Sequence, residues 1–180
     1  MGVKEMVAKE YFKLLGGVDF PPETENRVNK FSKELQTKRE YEKFTVFDSS
    51  NDEMILINKI KMFSFCEHHL LPFIGFCYIA YIPDGKIMGL SKFQRLVDKI
   101  CSKPSLQEYV TEEIADGIEK ILKPKGVGVA TTCIHTCMHG RGINTSTIDV
   151  NAQVLRGKLK ESPDARNEFL MRISNETFFG

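Results

Sequence analysis

A thiol and two imidazoles stand within four residues at Cys66-Glu67-His68-His69. Thiolate and imidazole suit a borderline-soft cation such as Zn²⁺, and a turn can aim Cys66 and His69 at one ion. Two ligands do not make a site. The segment His135-Thr136-Cys137, about seventy residues on, supplies a third. Cys66, His69 and Cys137 together give two thiolates and one imidazole. They leave a fourth position open to water, the pattern of a catalytic zinc rather than a closed structural one. His68 and His135 then stand beside the ion, free to move protons. A lone buried Cys is usually a small hydrophobe, and a lone His is more often hydrogen-bonded than metal-bound. Here all four histidines and two of the five cysteines fall within 66–69 and 135–139, and that concentration favours a metal.

A second set of residues suits an anion. Gly89-Leu90-Ser91-Lys92 followed by Arg95 places a hydroxyl, an ammonium and a guanidinium near a helix start. The G-x-x-x-x-G-K spacing is absent, so this is no Walker motif. Arg141, four residues past Cys137, adds a guanidinium that fits either the same anion or a surface ion pair. Arg27 and Lys30, three apart on a helix, read by themselves as two solvated charges. Glu108, in the first turn of another helix beside Gln107, is sufficiently explained by the helix dipole.

The elements that must carry these residues follow from periodicity. Val3, Val7, Tyr11, Leu14 and Leu15 mark a helix stopped by Gly16-Gly17. Pro21-Pro22 opens another, with Val28, Phe31 and Leu35 as its expected buried face. Residues 36–52 read as loop or an irregular helix end. Residues 54–65 and 73–82 are rich in Ile, Phe and Tyr and predict two strands, with the metal cluster at the turn between them. Pro83-Asp84-Gly85 is a turn, after which 86–90 briefly resumes a strand. Two helices follow, the first marked by Phe93, Leu96, Val97 and Ile100 and ended by Pro104. The second is marked by Leu106, Val110, Ile114, Ile118 and Ile121. Residues 127–137 predict a strand with Val127, Val129, Thr131, Cys133, His135 and Cys137 on one face, which makes Cys133 a possible competing thiol. A last strand is expected from about Thr147 to Leu159, then a short helix from Pro163 to Ile173 and a tail over 174–180. The core order is strand, strand, helix, helix, strand, strand. The division is an N-terminal helical region over 1–53 and an α+β catalytic domain over 54–180.

Composition bounds the partners. At 180 residues, 42% hydrophobic and 27% charged, the chain is long enough to bury its own core. A formal net charge of +1 argues against bulk electrostatic binding to nucleic acid or membrane, so an anion site must be built locally. Five cysteines without an apolar leader argue against a secreted disulfide framework and for a reducing cytoplasm. No stretch reaches the length of a membrane span.

The chain resembles the GTP cyclohydrolase I family, which turns GTP into 7,8-dihydroneopterin triphosphate and formate. "MFSFCEHHLLPFIG", "GLSKFQRLVDKI", "LQEYVTEEIA" and "HTCMHGRGI" stand where the family carries its signatures, in the same order. The likeness covers about residues 20–173. It implies that Cys66, His69 and Cys137 hold zinc and that His68 and His135 form the proton-transfer pair. It implies guanine recognition by Gln107 and Glu108, and triphosphate contacts from Ser91, Lys92, Arg95 and Arg141. It also gives Arg27 and Lys30 a role, as a basic pair reaching the triphosphate from another part of the assembly. The implied architecture is the tunnelling fold, a ββααββ core with N-terminal helices, whose antiparallel sheets form a barrel on oligomerisation. The implied assembly is a ten-subunit toroid with active sites between subunits.

The chain departs from the family in three places. The region before residue 20 is short, Cys133 stands where a small or acidic residue is common, and the Thr/Ser-rich last strand reads "IDVNAQVLRG". Two other readings fit parts of the pattern. A non-catalytic zinc-stabilised nucleotide-binding module needs the ligands but no spare histidines. Another enzyme of the same fold, such as the nitrile reductase of 7-deazaguanine synthesis, uses a cysteine nucleophile and no zinc. The full C-E-H-H with H-x-C counts against both.

Overall fold

A computed structural model describes residues 3–17, 20–141 and 149–174. Two helices come first, α1 (Val3–Leu14) and α2 (Pro22–Arg39). The 36–52 stretch then resolves differently from its polar composition: the helix runs to Arg39, and a short strand β1 (Val46–Asp48) follows. The predicted strand pair is present as β2 (Ile55–Cys66) and β3 (Pro72–Ile82), and the brief strand as β4 (Lys86–Met88). The predicted helix pair is α3 (Leu90–Cys101) and α4 (Gln107–Leu122), separated by a two-residue strand β5 (Pro104–Ser105). The chain continues through β6 (Gly126–His135), α5 (Thr136–His139), β7 (Asp149–Gly157), α6 (Lys158–Glu161) and α7 (Pro163–Ser174).

β1 and β4 form a separate two-stranded ribbon, with the turn at Pro83–Gly85 set by Gly85 at φ 75°. The other five strands form one sheet in the order β5-β2-β3-β6-β7, antiparallel except for the β2–β5 pair. One face carries α3 and α4, and buries Phe93, Val97, Val110, Ile114 and Ile118 against Ile79, Val127 and Val129. The other face receives α6 and α7, whose Leu159 and Phe169 pack on Tyr78, Ala80 and Ala130. Helices covering an antiparallel sheet in the order ββααββ make this the tunnelling fold.

Three expectations are corrected. Val28 and Phe31 of α2 are 43% and 40% exposed, and Leu35 is only half-buried, so no residue of this helix is buried within the chain. The apolar face is real, and among the described residues Phe31 meets Phe63 and Phe65 edge-on while staying partly exposed. The strand expected over 127–137 ends at His135, and Cys137 lies in the single turn α5. Leu159 belongs not to the last strand but to α6; Thr147, Ile148 and the tail over 175–180 lie outside the described residues.

β3 and β6 approach so closely at Gly75 that an added Cβ would fall 1.9 Å from Thr132 O. Gly75→Ala should therefore force the two central strands apart. The expected loss is about 2–3 kcal/mol, read as a lowered denaturant midpoint in equilibrium unfolding.

Candidate metal centre and active site

The pairing of β2, β3 and β6 gathers the chemistry at one end of the sheet. Phe65 pairs with Pro72 and Phe73 pairs with His135, so the chain just past β2 meets the chain just past β6. The turn after β2 is tight: Leu70 N–H donates to Cys66 O at 2.8 Å and Cys66 N–H donates to Leu71 O at 2.9 Å. Leu70 completes it at φ 54°. This fold-back brings Cys66 Sγ to 3.7 Å from His69 Nδ1. α5 then points Cys137 at the same spot, and the ligand atoms of Cys66, His69 and Cys137 all lie within 4.8 Å of one another.

Thiolate, imidazole and thiolate at this spacing can hold a metal ion. The electrostatics agree. Burial first, then the neighbouring Cys66 thiol, push the Cys137 thiol above its ordinary value. Two sulfurs this close resist ionisation until a cation shares them. Cys133 is a different case. It is fully buried among Val127, Val129 and Ile114, and burial pushes its thiol up to about 12. It is a core residue and not a competing ligand.

β5 brings the next component. Cys66 pairs with Ser105, so the chain enters α4 beside the cluster, with Gln107 and Glu108 in its first turn. A cavity of about 500 Å³ is lined here by Cys66, His68, His69, Glu108, His135 and Cys137, among others. Glu108 is exposed in it, whereas the Gln107 side chain is fully buried and hydrogen-bonded to Thr131, Val150 and His135. His135 stacks on Phe73, with ring centroids 4.8 Å apart at 13°. Burial lowers its pKa, against a smaller upward pull from Glu108.

Three of the anion-binding candidates, Ser91, Lys92 and Arg95, lie away from the cluster. Ser91 and Arg95 line a cavity of about 410 Å³ with Thr37, Lys38, Tyr41, Gln94 and Asp98, none of which lines the cavity at the cluster. Lys92 Nζ donates to Tyr41 Oη at 2.9 Å, and the Arg95 guanidinium sits 4.7 Å from the Tyr41 ring centroid. Tyr41 was invisible to the reading of 36–52 as loop; the aromatic pair Tyr41 and Phe44 in a charged stretch, edge-on at 5.3 Å, was the available signal. Arg141 is exposed and close enough to the cluster to favour the Cys137 thiolate. Arg27 and Lys30 are exposed on α2 and line neither cavity.

Cys66→Ser and Cys137→Ser should each abolish stoichiometric metal retention, measured by elemental analysis after dialysis. Cys133→Ser should retain the metal while losing stability, because it disturbs packing alone.

Among the described residues, no helix is long and apolar enough to cross a membrane. The sequence profile described as GTP cyclohydrolase I matches residues 18–174. The GTP cyclohydrolase 1 of Hahella chejuensis is 43% identical over 138 residues, covering 77% of this chain and 73% of that protein. That of Pseudoalteromonas translucida is 44% identical over 138 residues, covering 77% and 75%. That of a Sulfurihydrogenibium species is 44% identical over 156 residues, covering 85% and 82%. A looser structural likeness, TM-score 0.48 at 17% identity over 61% of this chain and 97% of the other, is to an archaeosine synthase QueF-Like in the apo form. That likeness decides nothing about this chain. The profile match spans both ligand clusters, the start of α4 and β7, and the chain belongs to the GTP cyclohydrolase I family.

Proposed function

We propose that this chain performs the reaction of its family, opening the imidazole ring of GTP, releasing formate and yielding 7,8-dihydroneopterin triphosphate. The observation that carries the reading is the convergence of Cys66, His69 and Cys137 in one cavity with His68, His135 and Glu108. The ion would be zinc, which suits two thiolates and an imidazole. When bound, zinc supplies Lewis acidity and lowers the pKa of a water in its open position.

The chain's own residues do the rest. Glu108 accepts hydrogen bonds from the N–H groups of guanine. It would meet an acceptor nitrogen in adenine, and a carboxylate covered by a bound base without a donor to pair with is costly. His135 and His68 relay protons between the attacking water and the ring nitrogens as the C8–N bonds break. Ser91, Lys92, Arg95 and Arg141 hold the triphosphate, with Arg27 and Lys30 reaching it from the helical region over 1–53. Residues 54–180 form the catalytic domain, working in a reducing cytoplasm where the thiols stay available.

The two cavities favour a site completed between chains, in a ten-subunit toroid. The sheet supports this: among the described residues β7 is an edge strand, and β5 pairs with β2 at Phe65 and Cys66. Unpaired strand edges are templates for joining copies into a closed barrel. The apolar residues of α2 left uncovered within the chain are a second such surface.

The zinc-loaded protein given GTP should release formate and a product that oxidises to a fluorescent pterin; guanosine should be a poorer substrate and ATP inert. His135→Ala should keep zinc and bind GTP while kcat falls roughly 10²–10⁴-fold. Wild type that binds GTP with full zinc yet never releases formate would sink the enzyme reading in favour of a binding module.

Light scattering should give a mass close to ten chains, and Arg27→Ala or Lys30→Ala should raise KM for GTP with zinc content unchanged. A fully active monomer at assay concentration is the result that excludes a shared site.

A further inference from the structure

The Gln107 amide is 0% exposed and has only one orientation that satisfies its surroundings. Its Nε2 lies 2.9 Å from Val150 O, and 3.0 Å and 3.2 Å from Thr131 Oγ1 and O. Carbonyl oxygens only accept, so the NH₂ group must face β6 and β7. Gln107 Oε1 is then the atom 2.8 Å from His135 Nε2. A carbonyl oxygen accepts there as well, so the imidazole must donate and its proton must sit on Nε2. The opposite amide orientation would set oxygen against two carbonyl oxygens in a buried position, a heavy penalty.

The neighbouring hydroxyls run in the same direction. Thr111 Oγ1 donates to Gln107 O at 2.8 Å. Thr131 Oγ1 therefore donates to Thr111 Oγ1, also at 2.8 Å, and is left to accept from Gln107 Nε2. With those donors assigned, the Gln107 amide has only its acceptor Oε1 left to offer His135, which again places the proton on Nε2. Stacking on Phe73 holds the ring plane, and a flip within that plane would put a carbon in place of Nε2 and lose the bond to Gln107 Oε1.

We propose that Gln107 is a positioning residue that holds His135 as the Nε2–H tautomer and leaves Nδ1 as the nitrogen presented to substrate. This rests on the enzyme reading above and deepens it. Nδ1 enters the reaction as an acceptor: it takes a proton from the attacking water, and the imidazolium returns that proton to a purine ring nitrogen. Nε2 keeps its own proton throughout, shared with Gln107 Oε1. The resemblance pairs Gln107 with Glu108 in guanine recognition; the Gln107 side chain is hydrogen-bonded to Thr131, Val150 and His135, and on this proposal the base edge is met by Glu108.

The test is magic-angle-spinning ¹⁵N NMR of the zinc-loaded full chain labelled at histidine, at about pH 8, above the ordinary imidazole range. The His135 signals are identified by their loss in His135→Asn. The expected wild-type spectrum has a protonated Nε2 and a bare Nδ1. Gln107→Met keeps the length and removes the acceptor; it should give mixed tautomers, kcat lower by about tenfold or more, and KM for GTP within about twofold, with zinc unchanged. A wild-type imidazole protonated on Nδ1, alone or with Nε2, overturns the proposal and leaves the enzyme reading standing. A Gln107→Met protein with raised KM and unchanged kcat also overturns it, because the amide then serves recognition. Absence of formate from a wild type with the Nε2–H tautomer counts against the enzyme reading alone. The wild-type spectrum decides the tautomer even if Gln107→Met does not fold.

Discussion

The register of β2, β3 and β6 is the constraint on which the molecule depends. With Phe65 opposite Pro72 and Phe73 opposite His135, two segments about seventy residues apart leave the sheet at the same end. A strand has a side-chain period of two, so a slip of one residue would turn His135 from its cavity and Val127 and Val129 from the core. Register is therefore specified twice, by burial along β6 and by the close approach of β3 and β6 at Gly75. The same sheet end recruits α4, because β5 pairs beside Cys66 and runs directly into Gln107 and Glu108.

Charge is arranged by separation. The cavity at the cluster gathers thiols, imidazoles and Glu108, while Arg95 and Lys38 line a different one with Lys92 held beside it through Tyr41. Burial lowers the His135 pKa and, with the neighbouring Cys66 thiol, raises that of Cys137, while the Cys66, His69 and Cys137 atoms gathered there can hold a cation. The basic cavity is poised for an anion. A substrate with a neutral base and a polyanionic tail fits such a division when copies of the chain supply opposite halves.

Much of this was legible in the residues. Period-two runs of Ile, Phe and Tyr gave β2 and β3, and the helical spacing of Phe93 to Ile121 gave α3 and α4, because both patterns follow from burying one face. The cluster of Cys66, His69 and Cys137 that could hold a metal was legible because soft donors are rare and were concentrated. Periodicity misled where burial within one chain did not follow: Val28 and Phe31 have the spacing of a core face yet remain exposed. It also carried β6 two residues too far, since Cys137 continues the alternation that α5 interrupts. β1 was missed because three residues in a charged stretch carry no period; only pairing with β4 makes them a strand.

The sequence by itself determined which atoms are available: two thiols and an imidazole for a metal, two further imidazoles for protons, a carboxylate and a set of cations for a substrate. Those follow from side-chain chemistry and need no coordinates. The direction of the hydrogen bonds was decided by tertiary structure alone. From the residues alone Gln107 reads only as a member of a helix's first turn, and the convergence of α4, β6 and β7 is what buries its amide between two carbonyls and His135. Cys133 and Cys137 are both plausible ligands on one strand face, and only the turn at α5 sends one to the cavity and leaves the other in the core. Spacing reports which residues share a face. Orientation depends on what lies opposite, and that is known only once the elements have packed.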